Sequence, residues 1–210
     1  MKNVLIVSGG WLGHKPYEFA DFFEQLYKDQ DFEVIHSHTL DSFNDLNFLK
    51  SFDILMPNWT MGEISDEQEH NISEAIKSGV NLVGIHGGAG DAFRSCLTYQ
   101  WMLGGQFLGH PYVGEYEVRI TQKDHPICLE ISASFTVNTE QYYMLTEPSI
   151  EVLAETRYIY EGQTMIMPVA WVKNWGQGKV FYSALGHEPS EYDVYPEMKQ
   201  LLTQAIRFLT

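Results

Sequence analysis

Residues 81–90, NLVGIHGGAG, constrain this chain more than any other stretch. Leu82, Val83, Gly84 and Ile85 have the length and apolarity of a buried strand. The run stops at His86, and the spacing Gly84-x-His86-x-Gly88 is that of a tight strand-to-helix turn. In G-x-S-x-G enzymes such a turn lifts its central side chain out of the sheet. Glycines serve there because neighbouring backbone passes too close for a Cβ, or because φ is positive. The turn predicts a helix from Asp91, with its amides facing whatever sits above a partly exposed His86. The central residue is unusual, because elbows of this type carry Ser or Cys as nucleophile and this one carries His.

Upstream, the pattern alternates between strand and helix. Residues 3–8 contain the unbroken run Val4-Leu5-Ile6-Val7, a parallel-type strand. A glycine-rich loop follows through Gly9, Gly10 and Gly13, and Pro16 suits the first turn of a helix. Phe19, Phe22, Phe23 and Leu26 share one face of that helix. Residues 32–36 and 53–57 read as further strands. Ser65 with Gln68 forms a capping box for a helix through Lys77, stopped at Ser78-Gly79. This alternation predicts an α/β fold built on a doubly wound, mainly parallel sheet. Ligands of such sheets bind beyond the carboxyl ends of the strands. The loops expected there carry Trp11, His14, His38, Trp59 and His86.

The second half differs. Residues 115–121, 139–145 and 151–157 read as strands without helices between them, hence antiparallel additions. Residues 165–173 and 179–184 predict a hairpin across 174–178, leading to Leu185-Gly186-His187. Asp124-His125-Pro126 reads as a strand-ending turn. Met198, Leu201, Leu202, Ala205, Ile206 and Leu209 line one face of a closing helix. With no repeat or linker, residues 1–210 read as a single domain.

The net charge of −15, from 28 acids and 13 bases, disfavours nucleic acid and anionic membrane surfaces, both of which require clustered Lys and Arg. No run is long enough for a signal peptide core or a membrane span, so the chain is expected in the cytoplasm. Cys96 and Cys128 fit no metal or redox spacing and read as small buried hydrophobes.

Chemistry therefore falls to histidine. His86 and His187 both follow strands, His14 lies in the first loop, and His110 in the glycine-punctuated loop 104–111. His86, His187 and Glu140 would supply a base, an acid and an orienting carboxylate. His86, His110 and His187 are also candidate ligands for a divalent metal such as zinc, although no HxH or HExxH spacing joins them. Trp11, His14, Trp59, His110, Gln141, Tyr142 and Trp171 would wall an aromatic, polar pocket suited to a sugar. His36, His38, His70 and His125 are read as isolated. A small-molecule ligand is the expected partner, and a homo-oligomer is compatible with the chain.

The order of several motifs resembles the trehalose-utilisation (ThuA-like) family. They are Gly84-Ile85-His86-Gly87-Gly88, Leu103-Gly104-Gly105-Gln106-Phe107 with His110-Pro111, and Asp124-His125-Pro126-Ile127. Thr139-Glu140-Gln141-Tyr142-Tyr143, Pro168-Val169-Ala170-Trp171 and residues 178–187 (GKVFYSALGH) complete the series. The resemblance implies a flavodoxin-like fold similar to the class I glutamine amidotransferases. It also implies a role in carbohydrate metabolism, through a sugar or keto-sugar. Those amidotransferases carry a nucleophilic Cys at the elbow. With His86 there, cysteine-dependent glutaminase activity is expected to be absent. Thr139 stands where the family usually has Asp. Two other readings stay open: a non-catalytic sugar-binding or regulatory module, and a metal-dependent hydrolase of a non-sugar substrate.

Overall fold

The computed structural model describes residues 2–210. Strand β1 (Lys2–Gly10) leads through a single 3-10 turn at Leu12–His14 into helix α1 (Pro16–Lys28). Next come β2 (Phe32–Ser37), α2 (Leu46–Leu49), β3 (Ile54–Thr60), α3 (Asp66–Lys77) and β4 (Asn81–Ile85). The elbow forms α4 (His86–Gly90), followed by α5 (Leu97–Leu103). Five strands succeed it: β5 (Gly105–Ile120), β6 (Ser134–Thr146), β7 (Glu151–Tyr160), β8 (Gln163–Trp175) and β9 (Gly178–Ser183). Helices α6 (Glu191–Val194) and α7 (Pro196–Leu209) close the chain.

Among the described residues nine strands join one mixed sheet, in the order β2-β1-β3-β4-β9-β8-β7-β5-β6. Strands β2, β1, β3, β4 and β9 run parallel. Their order is compatible with flavodoxin-like winding. From β9 onward, β8, β7, β5 and β6 add antiparallel. Parallel strands are buried on both faces, which is why β1 reads as continuous apolar residues and keeps Val4, Leu5, Ile6 and Val7 inaccessible. Phe19, Phe23 and Leu26 of α1 pack on one face with Leu201, Leu202 and Ile206 of α7. On the other face Ile72 and Ile76 of α3 pack with Tyr99 and Leu103 of α5. The Ser65 capping box forms as its spacing predicts. Among the described residues, no helix is long and apolar enough to cross a membrane.

Two local expectations are corrected and one is refined. The helix expected from Asp91 begins instead at His86 and is only five residues long, with Asp91 as its C-cap. His110 lies not in a loop but within β5, whose register shifts at Phe107/Gly109 and Gly109/Tyr112. Glycine and proline there mark bulges in a strand rather than its end. The Asp124-His125-Pro126 turn does follow the end of β5 and also opens a 3-10 turn at Pro126–Cys128, capped by the His125 ring.

Candidate functional site at the carboxyl ends of β1, β4 and β9

His86 stands at the end of β4 with φ +44°, a left-handed conformation uncommon outside glycine. A non-glycine residue held there is a strained elbow, of the kind that aims a side chain at a site. The glycines around it serve close approach. A Cβ on Gly87 would run into the His14 ring, and one on Gly88 would sit 2.6 Å from Asn58 Oδ1. His86 itself is 3% exposed, so the partly exposed elbow expected from the sequence is replaced by a buried one.

Four more polar side chains meet it, from His14, His187, Glu140 and Tyr142. His14 comes from the turn after β1, and its Nδ1 lies 2.8 Å from Thr60 Oγ1 at the end of β3. His187 follows β9. Glu140 comes from β6, at the far edge of the sheet, where alternation puts Glu140 and Tyr142 on one face and Gln141 on the other. The Tyr142 hydroxyl lies 2.9 Å from His86 Nδ1, and its ring packs on the imidazole with centroids 4.0 Å apart. Glu140 Oε2 is 3.4 Å from both His86 Nε2 and His187 Nδ1. The other carboxylate oxygen is 3.5 Å from Nε2 of His110, which is 41% exposed at the rim. One nitrogen or oxygen atom from each of His14, His86, Glu140 and His187 lies within 4.8 Å of the others, so these four could hold a metal ion.

Three of these atoms, His86 Nε2, Glu140 Oε2 and His187 Nδ1, are buried without a hydrogen-bond partner. Each such buried atom costs about 1–3 kcal/mol unless something satisfies it. Their protonation follows from their surroundings. Burial drives the His86 pKa down to about 3, against the pull of Glu140. Burial, then His187, lowers that of His14. Burial opposes ionisation of Glu140, but the facing imidazoles outweigh it and hold the carboxyl below the usual carboxylate range. Glu140 in turn raises His187. The site thus combines two neutral imidazoles, an ionised carboxylate and a histidine inclined to carry a proton. Such a set can bind a cation or pass protons.

Of the other residues singled out in the sequence, Trp11 is half exposed beside His14, with ring centroids 4.9 Å apart. Trp59 packs beneath the first loop, against the positions of Gly9 and Gly62. Gln141 points away from the cluster, its amide donating to Thr156 Oγ1 and the Arg157 carbonyl. Trp171 is fully buried in the core, donating to the Leu103 carbonyl. His36 pairs with Glu24 at 3.0 Å, away from the cluster. Two residues escaped sequence reasoning. Thr60 holds His14, and Glu191 accepts from both the His187 amide and the Thr139 hydroxyl. Nothing local marks Thr60 beyond its place at a strand end. Thr139, flagged for replacing Asp, was the available pointer to Glu191, since an Asp there would set two carboxylates face to face.

The family model described as ThuA, trehalose utilisation, matches residues 3–209. Among solved structures the fold is similar to a ThuA-like protein from Bacteroides uniformis, with TM-score 0.78, 17% identity, and coverage of 99% of this chain and 90% of that one. A ThuA-like protein from Parabacteroides merdae is similar to the same degree, with TM-score 0.78, 16% identity and coverage of 100% and 89%. A cytoplasmic protein from Salmonella typhimurium LT2 aligns over 100% of both chains with TM-score 0.70 and 13% identity. Among curated proteins, no sequence matches this one.

Proposed function

The chain belongs to the trehalose-utilisation (ThuA) family, and on that premise we propose that it is a cytoplasmic enzyme of carbohydrate metabolism, a hydrolase or isomerase acting on a sugar or keto-sugar. The observation that carries this reading is the convergence of His14, His86, His187 and Glu140 at the carboxyl ends of the parallel strands. Side chains that only pack do not leave three buried polar atoms facing one point. In this reading the amidotransferase-like elbow has exchanged nucleophile chemistry for polar chemistry. A hydroxyl or carbonyl of the substrate would enter from the rim, where Trp11 offers a ring to the apolar face of a sugar and His110 offers ring nitrogens for hydrogen bonds. The cytoplasmic location agrees with the description of the Salmonella protein of similar fold.

The test is turnover of a panel of disaccharides and their keto derivatives. Turnover is expected, and Glu140→Gln should reduce it by roughly 10²–10⁴-fold, the usual weight of a proton-transfer group. Saturable binding of a panel member without turnover would make the protein a binding module. Neither binding nor turnover would end the sugar reading.

A further inference from the structure

We propose that His14, His86, His187 and Glu140 are the protein ligands of one resident divalent transition-metal ion of the zinc class. The proposal deepens the reading above, since it concerns the same side chains, but it stands on their geometry alone. The first argument is which atoms are free. His14 Nδ1 is engaged by Thr60 and His86 Nδ1 by Tyr142, which leaves Nε2 as the free nitrogen of each ring. His86 Nε2, His187 Nδ1 and Glu140 Oε2 are then three buried atoms with no partner, facing one another. A histidine whose outer nitrogen is fixed by an oxygen partner while its inner nitrogen is unpaired is the arrangement of a metal-ligating histidine.

The second argument is spacing. The two measured approaches to Glu140 Oε2 are 3.4 Å, and all four donors lie within 4.8 Å of one another. Donors held at about 2.0–2.2 Å from a common ion stand at separations of this order, and small side-chain shifts bring them to it. A purely hydrogen-bonded cluster would have closed these gaps to about 2.7–3.0 Å.

The third argument is donor chemistry. Three imidazoles and one carboxylate suit zinc, cobalt, nickel, iron or manganese. Calcium and magnesium take oxygen, and the absence of thiolate from the donor set disfavours soft cuprous copper. His110 remains outside, against the other oxygen of Glu140, and belongs to the rim.

The experiment uses the full chain without a polyhistidine tag, purified without chelator and analysed for metals. About one ion per chain is expected, or is restored by adding zinc or cobalt after chelation. Cobalt loading should produce visible d–d bands, and zinc should raise the melting temperature of the chelated protein. His187→Gln and Glu140→Gln should lose the stoichiometric ion and the cobalt bands, while His38→Ala, at an exposed histidine outside the cluster, keeps both. If His187→Gln fails to fold, Glu140→Gln decides alone. A protein that takes up no stoichiometric zinc, cobalt, nickel, iron or manganese overturns the proposal. So does one whose ion survives both substitutions. Sugar turnover by a protein that takes up no stoichiometric ion would sink the metal and leave the sugar reading. A tightly held ion with no sugar turnover or binding would do the reverse.

Discussion

At the scale of the residue, the elbow presents an imidazole at the position where a nucleophile elbow carries a hydroxyl or a thiol. A thiol needs access and a lowered pKa to react. The two thiols here have neither: Cys96 and Cys128 are buried, and burial pushes them up to about 12 and about 11. Alkylating the native protein should therefore be slow and leave turnover unchanged. Rapid inactivation without unfolding would show that a cysteine acts after all. His86 is buried as well. Because it is buried and bonded to Tyr142, its removal is not neutral for stability, as a partly exposed elbow would have been. His86→Ala leaves the Tyr142 hydroxyl unpaired and should cost about 1–3 kcal/mol. Denaturant unfolding of the chelated protein measures this cost without a metal contribution. Turnover by the fraction that remains folded should be abolished. Normal turnover there would make the residue structural.

At the scale of the element, the strand-to-helix turn is a spacing device. Gly87 lets the chain pass under His14, whose ring cannot retreat without breaking its contact with Thr60. Gly87→Ala is thus expected to displace His14, at about 1–3 kcal/mol, the usual cost of overpacking. Metal uptake and turnover should fall much further than stability does. Ser65→Ala is the converse. It removes the cap of α3, away from the cluster, and should cost about 1 kcal/mol while leaving the site intact. If thermal melts show equal losses for both variants with the site intact in each, the turn is ordinary packing. The elements that sequence periodicity located well were those with their own local code: β1, the Phe19 face of α1, the capped α3 and the β8–β9 hairpin. Those it misjudged had a code written elsewhere. The residues of β5 near His110 are strand because β6 pairs with them across bulges, and composition alone cannot show a partner.

At the scale of the molecule, the site exists because the two halves of one sheet meet. The parallel strands deliver His14, His86 and His187 to one edge, and this part was legible once the alternation of strand and helix was read. Glu140 was legible as a candidate, but not its route, which runs through the outermost antiparallel strand. Gln141 and Trp171 were grouped with it by composition, and a strand's alternation and the core claimed them instead. Bringing these groups together makes folding depend on pH, and the sign can be worked out for the metal-free protein. His14 and His86 have lowered folded pKa values, so the unfolded chain binds protons that the folded one refuses. Their contribution is present above the unfolded value of about 6.5 and is lost as pH falls below it. For His86 the loss continues down to its folded value of about 3. Glu140, also lowered, gives stability that is present above the unfolded carboxylate range and fades further down. His187 runs the other way. Its folded pKa is raised, so its contribution is complete below about pH 6.5 and is lost as pH rises through the folded value. Below pH 6 the two refusing histidines outnumber it, and stability should fall steadily with acid. His86 accounts for one proton of that slope, about 1.4 kcal/mol per pH unit. Urea unfolding of the chelated protein at a series of pH values between 6 and 4 measures it. His86→Gln, which cannot titrate, should give a curve shallower by that one proton. Parallel curves for the two proteins would mean that His86 takes up its proton inside the folded protein, and that the buried neutral imidazole described for the elbow is not there.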